Sequence, residues 1–341
     1  MGFEINKIYY GFRLMEEYEI NEIQSTARVF YHEKSGARLL HLENDDDNKV
    51  FSIGFRTPPS DSTGVPHIIE HCVLSGSRKY TTKEPFMDMV KGSLQTFINA
   101  MTFSDKTLYP LASRNEKDFF NLMDVYLDAV LYPKIYQIPE IFMQEGWHYE
   151  LFNKEDKLGI KGVVYNEMQG AYSSPERILE ENIGKSLYPD TCYQYSSGGN
   201  PDIIPELSYE EFLDFHRKFY HPSNSYIYLY GNGDVEKQLS FINENYLSNF
   251  DKAQVDSSIK FQEPFKEKSE LKAYYPIGKD ESDENRDYLS LNFVLGQNKD
   301  PEIYLMSAIL GQLLIEFPAA PLKKALINAG IGEDIFPINT G

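Results

Sequence analysis

Two histidines and a glutamate stand three and four residues apart in the stretch Gly64-Val65-Pro66-His67-Ile68-Ile69-Glu70-His71-Cys72-Val73-Leu74. On a helix, residues four apart share a face, so His67 and His71 can aim their imidazoles at one point, with Glu70 one turn after His67. Two neutral imidazoles converging beside a carboxylate make two zinc ligands plus a general base. The order is H-x-x-E-H, the reverse of the commoner H-E-x-x-H zinc pattern. The alternative is a surface helix carrying two unrelated histidines and a solvated glutamate. Ile68, Ile69, Val73 and Leu74 argue against it, because they give the segment an apolar face to pack. Catalytic zinc takes three protein ligands, so a third has to come from elsewhere. Cys72 points away from the His67/Glu70/His71 face and reads as a small buried residue.

The helix that carries this pattern has readable ends. Ser62 or Thr63 can cap it, Pro66 suits its first turn, and Gly76 offers a left-handed stop. Residues 8–57 read as strands, with alternation over Ile20 to Tyr31, Ala37 to Leu42 and Lys49 to Phe55. The Asn44-Asp45-Asp46-Asp47 run lacks the continuation of a calcium loop and reads as a solvated turn. Downstream, Lys83 to Lys91 predicts a helix, Leu94 to Phe103 and Lys106 to Ala112 predict strands, and Asn115 to Leu131 predicts a strongly amphipathic helix. Pro139 to His148 and Ser174 to Tyr188 read as helices, Ser208 with Glu211 as a capping box opening another, Ser225 to Tyr230 as a strand, and Val235 to Leu247 as a helix. The Ser196–Pro201 stretch is a loop without phosphate-site features. His148 reads as an ordinary hydrogen-bonded histidine, alternatively as a donor to a metal ligand, and His216 and His221 read as structural or solvent-facing. Glu167 lies among apolar residues on a segment predicted to be partly buried, where an unpaired carboxylate is costly. It is either the missing ligand or a salt-bridge partner of Lys161 or Arg177.

At 341 residues the chain is long enough for two domains, and its 25% charged and 14% aromatic content is that of a folded protein. The balance of 52 acidic to 33 basic residues, a formal charge of -19, argues against a nucleic-acid partner. Two cysteines cannot form a disulfide framework and point to a reducing compartment. No signal peptide is visible and no apolar run reaches spanning length, so no membrane partner and a cytoplasmic location are expected. Residues 248–270 read as a linker with a boundary near 258. Beyond it the order restarts, with strands at Leu271–Tyr275 and Asp287–Leu295, helices at Pro301–Leu314 and Ala320–Ala329, and a strand starting at Ile335. The expected fold class is α+β, a mixed and largely antiparallel sheet packed with helices. It is duplicated as two related domains, 1–258 bearing the metal motif and 259–341 incomplete.

The metal stretch with its extension Ser77-Arg78-Lys79-Tyr80, then Lys83-Glu84-Pro85-Phe86, Lys91-Gly92-Ser93-Leu94 and Phe97-Ile98-Asn99-Ala100-Met101-Thr102, resembles the presequence-protease branch of the pitrilysin/insulinase zinc peptidases. Glu145-Gly146-Trp147-His148-Tyr149-Glu150, Lys161 through Met168, and Phe219-Tyr220-His221-Pro222-Ser223-Asn224 follow that branch in order and spacing. The resemblance implies His67, His71 and Glu167 as zinc ligands and Glu70 as the base that deprotonates the zinc-bound water. It implies Asn99 and Ala100 as a sheet edge that pairs with substrate through its backbone. It further implies four similar domains in two halves closing around unstructured peptides. The C-terminal half, with the groups that steady the oxyanion, is then a missing partner of this chain. The expected activity is that of a zinc metalloendopeptidase. The rival from another class is a non-catalytic peptide-binding or scaffold module of the same fold. A processing peptidase that needs a regulatory partner chain shares the chemistry.

Overall fold

The structure is a computed structural model describing residues 2–83, 85–297, 299–332 and 334–335. The alternation of the first fifty residues folds as β1 (Ile8–Tyr9), β2 (Phe12–Ile20), β3 (Ser25–His32), β4 (Arg38–Glu43) and β5 (Lys49–Arg56). Then come α1 (Val65–Val73), α2 (Pro85–Gly92), β6 (Gln95–Ile98), β7 (Met101–Thr102), β8 (Lys106–Ser113), α3 (Glu116–Leu131) and α4 (Pro139–Glu145). A small hairpin of β9 (His148–Glu150) and β10 (Gly159–Lys161) precedes α5 (Val163–Ala171), α6 (Pro175–Leu187), α7 (Tyr209–Phe219), β11 (Ser225–Gly231) and α8 (Val235–Asn245).

Nine strands make one sheet in the order β1-β2-β3-β4-β11-β5-β8-β6, with β7 also on β8. Among the described residues every ladder is antiparallel except β11 on β4, because β11 inserts between β4 and β5, which run in opposite directions, and must lie parallel to one of them. The period of two sorts the faces. Phe51, Ile53 and Phe55 of β5 are buried against the helices, while Arg28 on β3 pairs across the other face with Glu17 and Glu43. The observed class is therefore the expected α+β, a mostly antiparallel open sheet packed with helices. α3 is capped by the Asn115 side chain, and both bonds of the Ser208/Glu211 capping box are present. His216 is buried, its Nε2 donating to the Val130 carbonyl and its Nδ1 accepting from Tyr136; burial lowers its pKa to about 4, so it is a neutral structural residue.

Several elements depart from the sequence expectation. The strand expected over 94–103 breaks at Asn99–Ala100 into β6 and β7. α4 stops at Glu145, and His148 opens β9 instead of ending the helix. α1 has no side-chain cap: its N-cap is Gly64, while Thr63 bonds Asp61 and the Ser62 hydroxyl accepts from Ser196. Gly76 has the expected positive φ of 121° but follows the end of α1 by three residues.

Residues 287–341 group as a separate unit from 1–286. In the second unit α9 (Pro301–Gly311) and α10 (Pro321–Asn328) flank a π-helical turn, Gln312–Glu316. The strands expected at 271–275 and 287–295 do not form among the described residues. Their alternation is genuine, but a strand is stable only against a ladder partner, and Leu289 and Leu291 are 90% and 83% exposed. The strand expected from Ile335 falls largely on residues outside those described. Against the expectation that no run reaches spanning length, Pro301–Asn328 is long and apolar enough to cross a membrane by length and composition, with 6% of its most apolar window buried. Pro318 and Pro321 accompany a break between its two helices.

The Ser77–Tyr80 segment ties the exit of α1 to α3. Arg78 Nε and Nη2 donate to Asp128 Oδ1 at 3.1 and 2.7 Å, the Lys79 amide donates to Oδ2 at 2.7 Å, and the guanidinium lies 3.7 Å over the Tyr132 ring. Asp128 is fully buried, and removing that cation would strip a buried carboxylate of its ion-pair partner. Arg78→Ala should lower stability by about 3 kcal/mol, the usual order for a buried carboxylate stripped of its partner. The urea midpoint measures this, and an unchanged midpoint would show that the Lys79 amide suffices.

Candidate metal centre

α1 is pinned on its apolar side. Ile68, Ile69, Cys72 and Val73 are fully buried, and the helix lies against α4, α5, α7, β7 and β8. Its rotation about its own axis is thereby fixed, and one face carries His67, Glu70 and His71 outward from the core. The two imidazole rings stand 4.9 Å apart between centroids at 78°.

Glu167 reaches them from α5. Its Oε2 lies 3.8 Å from His67 Nε2 and 3.9 Å from His71 Nε2, and one ligand atom from each of the three residues lies within 4.8 Å of the others. The edge of a tetrahedral shell with bonds of ~2 Å is about 3.3 Å, so the Glu167 oxygen has to close by about half an ångström on each imidazole, and the widest pair of ligand atoms by up to about 1.5 Å, around an ion. The premise that led to Glu167 was wrong in one respect. α5 buries Val164, Tyr165 and Met168, whereas the Glu167 side chain, one turn after Val164 at the margin of that buried face, is 55% exposed. The carboxylate is thus held near the imidazoles without being buried. Arg177, one of its possible salt-bridge partners, instead approaches Glu180, at 4.0 Å.

Each histidine is oriented by its other nitrogen. His67 Nδ1 lies 3.1 Å from the Gly198 carbonyl oxygen, and His71 Nδ1 lies 3.4 Å from Glu145 Oε2. Both acceptors direct a proton to Nδ1 and leave Nε2 with its lone pair toward Glu167, the arrangement second-shell partners give metal-binding histidines. Burial alone would lower the His71 pKa; the bond to Glu145 and the charges of Glu70, Glu145 and Glu167 outweigh it and raise the pKa. Glu70 is 8% exposed, and its Oε2 accepts from Thr102 Oγ1 at 2.7 Å. Thr102 lies on β7, so the end of the sheet meets the carboxylate face of α1.

Asn99 and Ala100 lie in the break between β6 and β7, along the edge of the sheet beside β8. Among the described residues no strand pairs with the outer side of β6 or β7. The Asn99 amide donates to Pro110 O at 3.1 Å, its carbonyl accepts from Tyr126 Oη at 2.8 Å, and the Ala100 amide donates to Asn99 Oδ1 at 3.0 Å. Cys72 is buried, with its sulfur 3.8 Å from Ile141 O, and His148 bonds the Met143 carbonyl. Glu145, Thr102 and the Gly198 carbonyl were not singled out from the sequence. Glu145 stood there in a quoted motif, and Gly198 in a loop set aside for lacking phosphate-site features.

Comparison with known proteins gives the lineage. Residues 206–341 match the family model described as the peptidase M16 inactive domain. The chain is 60% identical over 335 residues to protein HypA of Clostridium perfringens, covering 98% of this chain and 34% of that protein. It is 47% identical over 326 residues to presequence protease 1, chloroplastic/mitochondrial, of Arabidopsis thaliana, covering 95% and 30%. The chain is a presequence protease-like member of the peptidase M16 family. Its fold is that of the pitrilysin crystal structure, with a TM-score of 0.57 at 15% identity over 73% of this chain and 25% of that one. This M16 chain spans about a third of the length of these curated relatives. The segment matched by the inactive-domain model, 206–341, does not include His67, Glu70, His71 or Glu167.

α4 and α5 carry Glu145 and Glu167 to the histidines, and the end of α4 meets the start of α5 at a pair of glycines, Gly146 and Gly162. A Cβ on Gly162 would sit 2.0 Å from the Gly146 carbonyl oxygen and 2.8 Å from Trp147 Cα. Both are backbone atoms, so relief requires the two helices to part. Gly162→Ala should destabilise the chain by about 2–3 kcal/mol, read from thermal or urea unfolding. A variant as stable as wild type would mean that the α4–α5 contact is slack.

Proposed function

We propose that this chain is the zinc-bearing part, within the N-terminal half, of a metalloendopeptidase that cuts unstructured oligopeptides internally. The observation that carries the reading is the convergence of His67, His71 and Glu167, with Glu70 on the same helical face. In support, Glu70, Glu145 and Glu167 all act on His71, a surplus of negative charge that a divalent cation would offset. The names of the relatives support the peptidase class.

In this reading His67, His71 and Glu167 hold the ion. Zinc, when bound, supplies Lewis acidity that polarises the scissile carbonyl and acidifies a water. Glu70 is the proton carrier. With Oε2 fixed by Thr102, its carboxylate takes a proton from the attacking water as the C–O bond forms, then gives it to the amine nitrogen as the C–N bond breaks. Asn99 and Ala100, at the unpaired edge, receive the peptide as an added strand. His71 is kept in the metal-ready tautomer by Glu145.

We further propose that the rest of the enzyme, covalent or separate, supplies the oxyanion donors and closes over the substrate. Tyr304, Leu305, Met306, Ile309 and Leu310 on α9 are each 47–66% exposed, which supports a covering element. Residues 1–258 and 259–341 are proposed as two domains of one type, and the compartment as cytoplasmic, in line with two free cysteines. The description of the matched segment 206–341 as inactive is compatible with the rival reading of the chain as a binding module of the same fold.

Glu70→Gln should retain zinc and lose hydrolysis, while His67→Ala and Glu167→Gln should lose zinc, with metal content read by elemental analysis. Turnover surviving in Glu70→Gln would remove Glu70 as the proton carrier. Mass spectrometry of an unstructured peptide, incubated with the chain with and without a chelator, should show chelator-sensitive internal cleavage. Zinc-loaded protein that never cleaves, even with the remaining part of the enzyme restored, would favour the binding module.

A further inference from the structure

His67 takes its orientation from a carbonyl far away in the chain, so something must hold that carbonyl in place. Gly198 O can only accept, which puts the proton on His67 Nδ1 and the lone pair on Nε2. The loop that carries Gly198 is stitched to the turn just before α1. The Asn200 amide donates to Ser62 O at 2.8 Å, and the Ser196 amide donates to Ser62 Oγ at 3.2 Å. Ser62 and Ser196 are both buried. At the centre of the seam is Gly64, with φ +72°. A Cβ there would lie 2.6 Å from Gly199 Cα, 2.7 Å from the Gly198 oxygen and 2.9 Å from the Gly199 nitrogen. All three are backbone atoms, and none can rotate away as a side chain would. The positive φ adds strain to any side chain at this position.

We propose that Gly64 and Ser62 are positioning residues for His67. They let the 196–200 loop approach α1 closely enough for its carbonyl to select the Nδ1–H tautomer before any metal arrives. Gly64 is also the N-cap of α1, and a merely structural cap would alter stability while leaving the tautomer alone. The part of the inference that concerns metal rests on the function proposed above; the part that concerns the tautomer does not.

The test combines nitrogen-15 NMR of the metal-free chain, which reads the His67 tautomer with the ring neutral, and zinc competition against a chromophoric chelator. Wild type should show the Nδ1–H form. Gly64→Ala should show the Nε2–H form and bind zinc 10–100-fold more weakly, the usual cost of a lost second-shell partner. Ser62→Ala, which keeps the backbone of the turn, should move both readouts in the same direction by less. A folded Gly64→Ala with wild-type tautomer and wild-type affinity overturns the proposal. If Gly64→Ala does not fold, Ser62→Ala decides alone, and unchanged readouts overturn it equally. Should wild type take up no zinc, the metal reading fails by itself, and the tautomer measurement still decides the seam.

Discussion

The structure depends on α1 being unable to rotate. A helix turn advances each residue by about 100°, so a slip of one position would swing His67 and His71 away from Glu167. Ile68, Ile69, Cys72 and Val73, all fully buried, oppose that slip from one side. The Arg78–Asp128 clamp fixes the exit of the helix and the Ser62–Gly64 turn fixes its entrance. An apolar face of ordinary composition thereby does the geometric work of the site, since each buried aliphatic side chain loses roughly 1.5–3 kcal/mol if turned to water.

Around that fixed helix the remaining groups come from distant parts of the chain. Glu145 ends α4, Glu167 lies in α5, Thr102 closes the edge of the sheet, and the Gly198 carbonyl comes from a loop beyond α6. α4 and α5 can approach as they do because Gly146 and Gly162 bring backbone against backbone. The donors are therefore held by main-chain packing as much as by side chains. A half-exposed Glu167 costs little in desolvation and still lies within reach of both imidazoles.

The second unit shows the same physics where apolar side chains find little to pack against among the described residues. Alternation over 287–295, and over 271–275 at the end of the first unit, was legible but did not become strands among the described residues, because a ladder needs a neighbour. α9 carries apolar side chains around its surface and buries none of them. By contrast, residues 8–57 carry a similar pattern and find partners on both sides, which is why that expectation held.

The sequence by itself determined what is local. Histidines four apart share a helical face whatever surrounds them, Ser208 with Glu211 closes a capping box within one turn, and the apolar stripe from Phe119 to Val130 makes α3. It also carried the family motifs, since these are strings of residue types. Tertiary structure alone decided which distant groups meet. The bond of Glu145 to His71, of Thr102 to Glu70 and of Gly198 O to His67 spans 74, 32 and 131 residues respectively. No period or spacing encodes such pairings. They follow from where the sheet, the α4–α5 contact and the seam at Gly64 bring the backbone. That is also why the exposure of Glu167 differs from expectation: an apolar neighbourhood in sequence reports what its helix buries, and Glu167 lies at the margin of that face with its side chain half in solvent.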